Sequence, residues 1–92
     1  MQDEYQPKYK WRETWPEEGG QGFEGIDGGE CFGRVQLDTT TSNRKGMWRW
    51  NPGFEPWVRE RIMPQQGWEE TAREASRRAE EHHDRLKQLH RR

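Results

Sequence analysis

Across residues 71–90 apolar or small side chains recur at Ala72, Ala75, Ala79, His82, Leu86 and Leu89, with Trp68 one step ahead of them, and the gaps alternate between four and three. Charged and amide residues fill most of the positions between. This spacing predicts an amphipathic helix with one narrow stripe. Thr71 followed three residues later by Glu74 is a capping box: the hydroxyl accepts from the amide of residue 74 and the carboxylate reaches back to the amide of Thr71, so the helix starts there. The stripe is mostly alanine, which buries little area per position but lets a neighbour approach closely. Bulky rings must fill the other side, and Trp48, Trp50, Phe54 and Trp57 lie just upstream.

Before the helix the period shortens to two. In residues 29–37, Cys31, Gly33, Val35 and Leu37 alternate with Phe32, Arg34 and Gln36; in residues 47–51, Trp48 and Trp50 alternate with Met47 and Arg49. Between them the run of three Thr, Ser42, Asn43 and Gly46 has the chemistry of a turn. The two runs predict an antiparallel hairpin, which is marginal in water and needs the helix as a cover. Residues 51–68 are bracketed by Pro52, Pro56 and Pro64. Trp57, Val58 and Ile62 fall on one side of a short helix that Pro64 must end.

Residues 1–28 show neither period and hold glycines at 19, 20, 22, 25 and 28, with prolines at 7 and 16. They read as a mostly disordered acidic arm, with a domain boundary before residue 29. The expected fold class is therefore α+β: a hairpin sheet of two or three antiparallel strands packed on one long C-terminal helix. The arm's aromatics, Tyr5, Tyr9, Trp11 and Trp15, are more than a solvating tail needs. Either they lie against the folded part or they insert into a partner as anchors.

Composition sharpens this picture. Of 92 residues 27% are hydrophobic and 36% charged, close to chains that do not fold alone. Six Trp compensate, since each large aromatic can bury roughly 150 to 250 Å². Cys31 is the only cysteine, so an internal disulfide and a four-cysteine zinc site are excluded, and a reducing, cytoplasmic setting is expected. No apolar run is long enough to cross a bilayer. The net charge of -1 divides unevenly: residues 1–30 carry eight acids against three bases, residues 31–67 six bases against three acids, and residues 68–92 seven bases against six acids.

The order Gly33-Arg34-Val35, a polar loop, Gly46-Met47-Trp48-Arg49-Trp50, then Gly67-Trp68-Glu69-Glu70-Thr71 leading to Ala75 resembles a group of small proteins of alphaproteobacteria and their mobile elements. That likeness spans roughly residues 31–86. It implies a Trp-rich hairpin followed by one helix, and it implies no activity.

Candidate chemistry is sparse. His82, His83 and His90 with Cys31 are the metal-donor types present, but adjacent histidines on a helix point about 100 degrees apart, so solvated or stripe-edge histidines are expected and no metal or cofactor. Nothing pairs a nucleophile with a base at a recognisable spacing, and no loop is built to cradle phosphate, so no catalysis is expected. Two binding readings remain. In the first, a small module docks on a larger protein through Tyr5, Tyr9, Trp11 and Trp15, as small regulators or inhibitors of phage and plasmid origin do, anti-CRISPR proteins among them. In the alternative, Arg34, Arg44, Lys45 and Arg49 bind nucleic acid with Trp48 or Trp50 as stacking platforms. The acidic arm opposes the second. No membrane partner is expected, and the chain is read as a monomer or a weak homodimer paired through the alanine stripe.

Overall fold

Val35 is fully buried at the centre of a sheet that is wider than a hairpin. The computed structural model describes residues 6–14, 22–39, 43, 45–53 and 55–91. They form β1 (Lys10–Glu13), β2 (Gly22–Asp27), β3 (Glu30–Leu37), β4 (Trp48–Pro52), β5 (Gly67–Glu69) and α1 (Ala72–Leu89). The strands lie in chain order in one antiparallel sheet, β1-β2-β3-β4-β5. The class is α+β as expected, but the strands among the described residues number five rather than two or three. β1 and β2 come from the range read as a disordered arm, and β5 from the approach to the helix.

Register explains how so few apolar residues suffice. One row runs Phe23, Val35, Trp50, Gly67 across β2 to β5, and the next runs Trp11, Gly25, Gly33, Pro52 across β1 to β4. The first row is bulky in the middle strands and the second is small there. Where the sheet is small, the helix comes close: a Cβ built on Gly33 would lie 3.7 Å from the Cβ of Ala79. Ala75 and Ala79 are buried against the sheet, Leu86 is buried further along the helix, and α1 packs over β3, β4 and β5. The alanine stripe is thus spent on the chain's own sheet.

Alternation in β3 breaks at one place. The pairing steps from Gly25 with Gly33 to Ile26 with Cys31, leaving Phe32 as the extra residue of a bulge. Phe32 therefore turns to the helix side with Gly33 and is buried, instead of sharing the outer face with Arg34 and Gln36. Gly28 and Gly29, both at positive φ, make the two-residue turn between the paired Asp27 and Glu30.

The helix begins as its capping residue dictates. Thr71 is extended and its side chain accepts from the amide of Glu74 at 3.1 Å. The carboxylate of Glu74 turns forward to Arg77, 2.9 Å away. Trp68, expected at the head of the stripe, lies in β5 on the face of the sheet away from the helix, because the strand period of two sends it opposite to Gly67, whose missing side chain leaves room for the Trp50 indole. The short helix expected between Pro56 and Pro64 is absent: among the described residues this stretch makes a single turn, Val58 amide to Glu55 carbonyl, and crosses beside α1. No helix of the described residues is long and apolar enough to cross a membrane. Tyr5, Trp15, Arg44 and Phe54 lie outside the described residues.

Candidate functional site

The helix covers one face of the sheet, and the pleat sends a second set of side chains to the other. Two cross-strand rows make up that open face: Arg12, Glu24, Arg34, Asn51 and, beside it, Gly22, Gln36, Arg49, Trp68. Arg34 is paired with Asn51 and Arg49 with Gln36, so the two arginines are diagonal neighbours, roughly 7 to 8 Å apart at Cα. The segment before β5 and this end of the sheet together line an open groove of about 910 Å³. Arg34, Arg49 and Asn51 line it from the strands, Gln65 and Met63 from the segment, and Trp68 from β5.

The groove is basic. Its described lining holds two arginines and no carboxylate, a charge of +2 in a chain whose total is -1. Arg49 Nε is buried and has no hydrogen-bond partner among the described residues. Arg34 is exposed, and neither arginine enters an ion pair among the described residues. Trp68 is half-buried, with its indole N–H donating to Asp38 at 2.9 Å. Cys31 borders the same groove, and burial pushes its thiol up.

The sequence-based candidates divide between the two faces. Arg34 and Arg49 meet in the groove, whereas Lys45 sits exposed in the turn before β4 and does not line it. Trp50 is 5% exposed and Trp48 packs against the core, so neither is a stacking platform; the indole on the arginine face is Trp68. Tyr9 and Trp11 are tied to the helix. The buried carboxylate of Glu80 accepts from the amides of Lys8 and Tyr9 and from the Trp11 indole at 2.8 Å. The Tyr9 hydroxyl donates to Asp84 at 2.6 Å, and Lys8 Nζ lies 2.7 Å from the same carboxylate. Burial would raise Asp84, but the hydrogen bonds from Lys8 and Tyr9 outweigh it and hold its carboxyl below the ordinary value.

Two of the three histidines, His82 and His83, are core rather than solvated, and His90 is half-buried. His83 is 2% exposed, stacks on Phe32 with ring centroids 4.4 Å apart, and faces carboxylates from both nitrogens: Asp27 at 2.9 Å from Nε2 and Glu55 at 3.4 Å from Nδ1. Burial raises Glu55, against the hydrogen bond it receives from Trp57. His82 Nε2 donates to the carbonyl of Ile62 at 2.8 Å, and burial lowers its basicity. His90 accepts the amides of Arg59 and Glu60 on Nε2, with Nδ1 on the carbonyl of Leu86. These rings pin the 55–62 segment and the β2–β3 turn to α1. With both nitrogens of His83 engaged, its place is that of a joint, and no group of three or more His, Cys, Asp or Glu among the described residues is arranged to hold a metal ion.

What the sequence missed was the groove's floor of neighbours: Asn51, Gln65 and Trp68 carried no motif, and only the alternation of Arg34 and Arg49 signalled a shared face. No protein-family profile, curated protein or solved structure matches this chain.

Proposed function

We propose that this chain is a small non-catalytic binding module that docks on a larger protein, as a regulator or inhibitor does, and that its working surface is the open face of the sheet. One observation carries the reading: Arg34 and Arg49, without ion pairs among the described residues, converge on one groove beside Trp68. Arg and Trp are the residue types that dominate interface energies, and a guanidinium already partly stripped of water loses little more on binding. Tyr9 and Trp11 support that surface from behind by holding β1 to the helix.

A second reading, nucleic-acid binding, is favoured by the same two arginines lying beside an indole. The two are separated by one set of measurements. Tagged protein incubated with extract from the cells that encode it retains a protein that nuclease does not release, and the double substitution Arg34→Glu, Arg49→Glu loses it while the thermal melt is unchanged. Nucleic-acid binding instead predicts a shift of bare DNA or RNA whose log affinity falls with log salt, with the slope reduced by about one per arginine removed.

A further inference from the structure

Resting on the protein-docking reading, we infer that the groove receives an extended, acidic segment of the partner, with a carboxylate seated between Arg34 and Arg49 and an aliphatic side chain beside it on Met63. The argument starts from charge. A buried guanidinium N–H without an acceptor is costly, because the lost hydration is not replaced. Arg49 Nε is such a group; it is itself shut off from solvent, and the side chain that carries it lines a groove whose described lining supplies no carboxylate. An incoming carboxylate offsets the charge of that guanidinium from the groove side, since its two oxygens match the planar fork of a guanidinium.

The rest of the lining selects the carrier of that carboxylate. Met63 is 73% exposed and lines the groove together with Pro64 and Pro52, a soft apolar shelf that adapts to an aliphatic side chain. Asn51 and Gln65 offer amide donors and acceptors of the kind that pair with a peptide backbone. A phosphate backbone is served less well. Glu24 is the register partner of Arg34 and pairs with Arg12 at 3.6 Å, so a polyanion continuing across the strands meets a carboxylate one step beyond the groove.

The test follows the side-chain Nε–H signals of the two arginines by NMR in the full ¹⁵N-labelled chain. The probe is a short blocked peptide, Ser-Glu-Leu-Asp-Ile-Ser, compared with its amide counterpart in which Gln and Asn replace the acids, with a short oligothymidylate, and with inorganic phosphate. The acidic peptide should give saturable shifts at Arg34, Arg49 and the Trp68 indole, with the amide counterpart binding about tenfold more weakly. Arg34→Gln and Arg49→Gln should each weaken the acidic peptide by about tenfold while the melt stays cooperative. Equal binding of the two peptides, or shifts produced as readily by phosphate alone, overturns the inference. Shifts produced more tightly by oligothymidylate overturn both it and the protein-docking reading. Should the acidic peptide fail while a retained protein still depends on Arg34 and Arg49, the docking reading stands and only the acidic segment falls.

Discussion

His83 Nε2 stands 2.9 Å from Oδ2 of Asp27, fastening the last pair of the β2–β3 hairpin to the middle of the helix. Lys87, one turn further along α1, reaches the same oxygen at 3.3 Å. The hydrogen bond from His83 holds the Asp27 carboxyl below its ordinary value; partial burial opposes this and Lys87 adds to it. Because the folded value lies below the unfolded one, the ionised carboxylate contributes stability that is fully present above about pH 4 and is lost as pH falls through the depressed folded value. Asp27→Asn should therefore melt lower than the parent at pH 7, and the two melting temperatures should converge by about pH 2. A gap that persists in acid would show that Asp27 acts by packing alone.

His82 gives the opposite side of the titration. Burial lowers its folded value, so the unfolded chain binds the extra proton and stability is lost as pH falls below about 6.5, the ordinary value for histidine. Replacing it with Gln, which can still donate to Ile62, should remove this part of the pH dependence. Melts of His82→Gln between pH 5 and 7, on the order of a unit either side of that value, should be flatter than those of the parent; an unchanged slope would sink the assignment.

Glu80→Gln tests the grip on the first strand. The carboxylate accepts three donors, Lys8 N, Tyr9 N and Trp11 Nε1, and an amide in its place turns N–H groups toward some of them. The expected cost is on the order of 1 to 3 kcal/mol, with faster hydrogen exchange confined to the Tyr9 amide, the Trp11 indole and β1. Unchanged exchange at the Trp11 indole would mean that ring packing against Phe32, 5.4 Å away between centroids, holds the strand by itself.

Ala79→Arg and Ala75→Arg should abolish the cooperative melt or lower stability by about 3 kcal/mol or more, since each forces a long charged chain into the closest helix–sheet contact. Circular dichroism during heating measures this directly. Full retention of the parent melting temperature in both would show that the stripe is not the core.

Gly25→Ala should cost about 1 to 3 kcal/mol by overpacking, because the new methyl would lie 2.4 Å from Cζ of Phe32. Shortening that ring in the double variant Gly25→Ala, Phe32→Leu should recover part of the loss in a denaturant melt. Strict additivity of the two changes would contradict the contact.

The helix and the central strands were legible in the sequence, and the outer strands were not, for one physical reason. Thr71 with Glu74, the alanine stripe, and the period-two runs around Val35 and Trp50 are local signals. Gly25, by contrast, is required where the Phe32 ring, turned inward by the bulge, lies over the neighbouring strand, and Gly33 where Ala79 approaches from far along the chain. Read locally, such glycines suggest disorder. The turn did leave a trace, since Gly28-Gly29 between Asp27 and Glu30 is a two-residue hairpin connection. The bulge left none, because strict alternation groups Phe32 with Arg34. His82 and His83 looked too divergent to share an environment, yet both are buried, because the 55–62 segment wraps the helix on the side the sheet leaves open. Of the site, alternation put Arg34 and Arg49 on one face, while Trp68 was drawn into the helical stripe by a spacing that the strand also satisfies.

The hold of Glu80 on Lys8 and Tyr9 spans 72 and 71 residues of chain, and that separation fixes an order of events during synthesis. The amides of the first strand emerge from the ribosome long before the carboxylate that receives them. A newborn chain holding β2 to β4 therefore has neither the helix that covers its inner face nor the acceptor that anchors its first strand, and it exposes Val35, Trp50 and Phe32 to whatever is nearby. Covering of the sheet waits for α1, so a chain halted within α1 would present a sticky sheet with its inner face open.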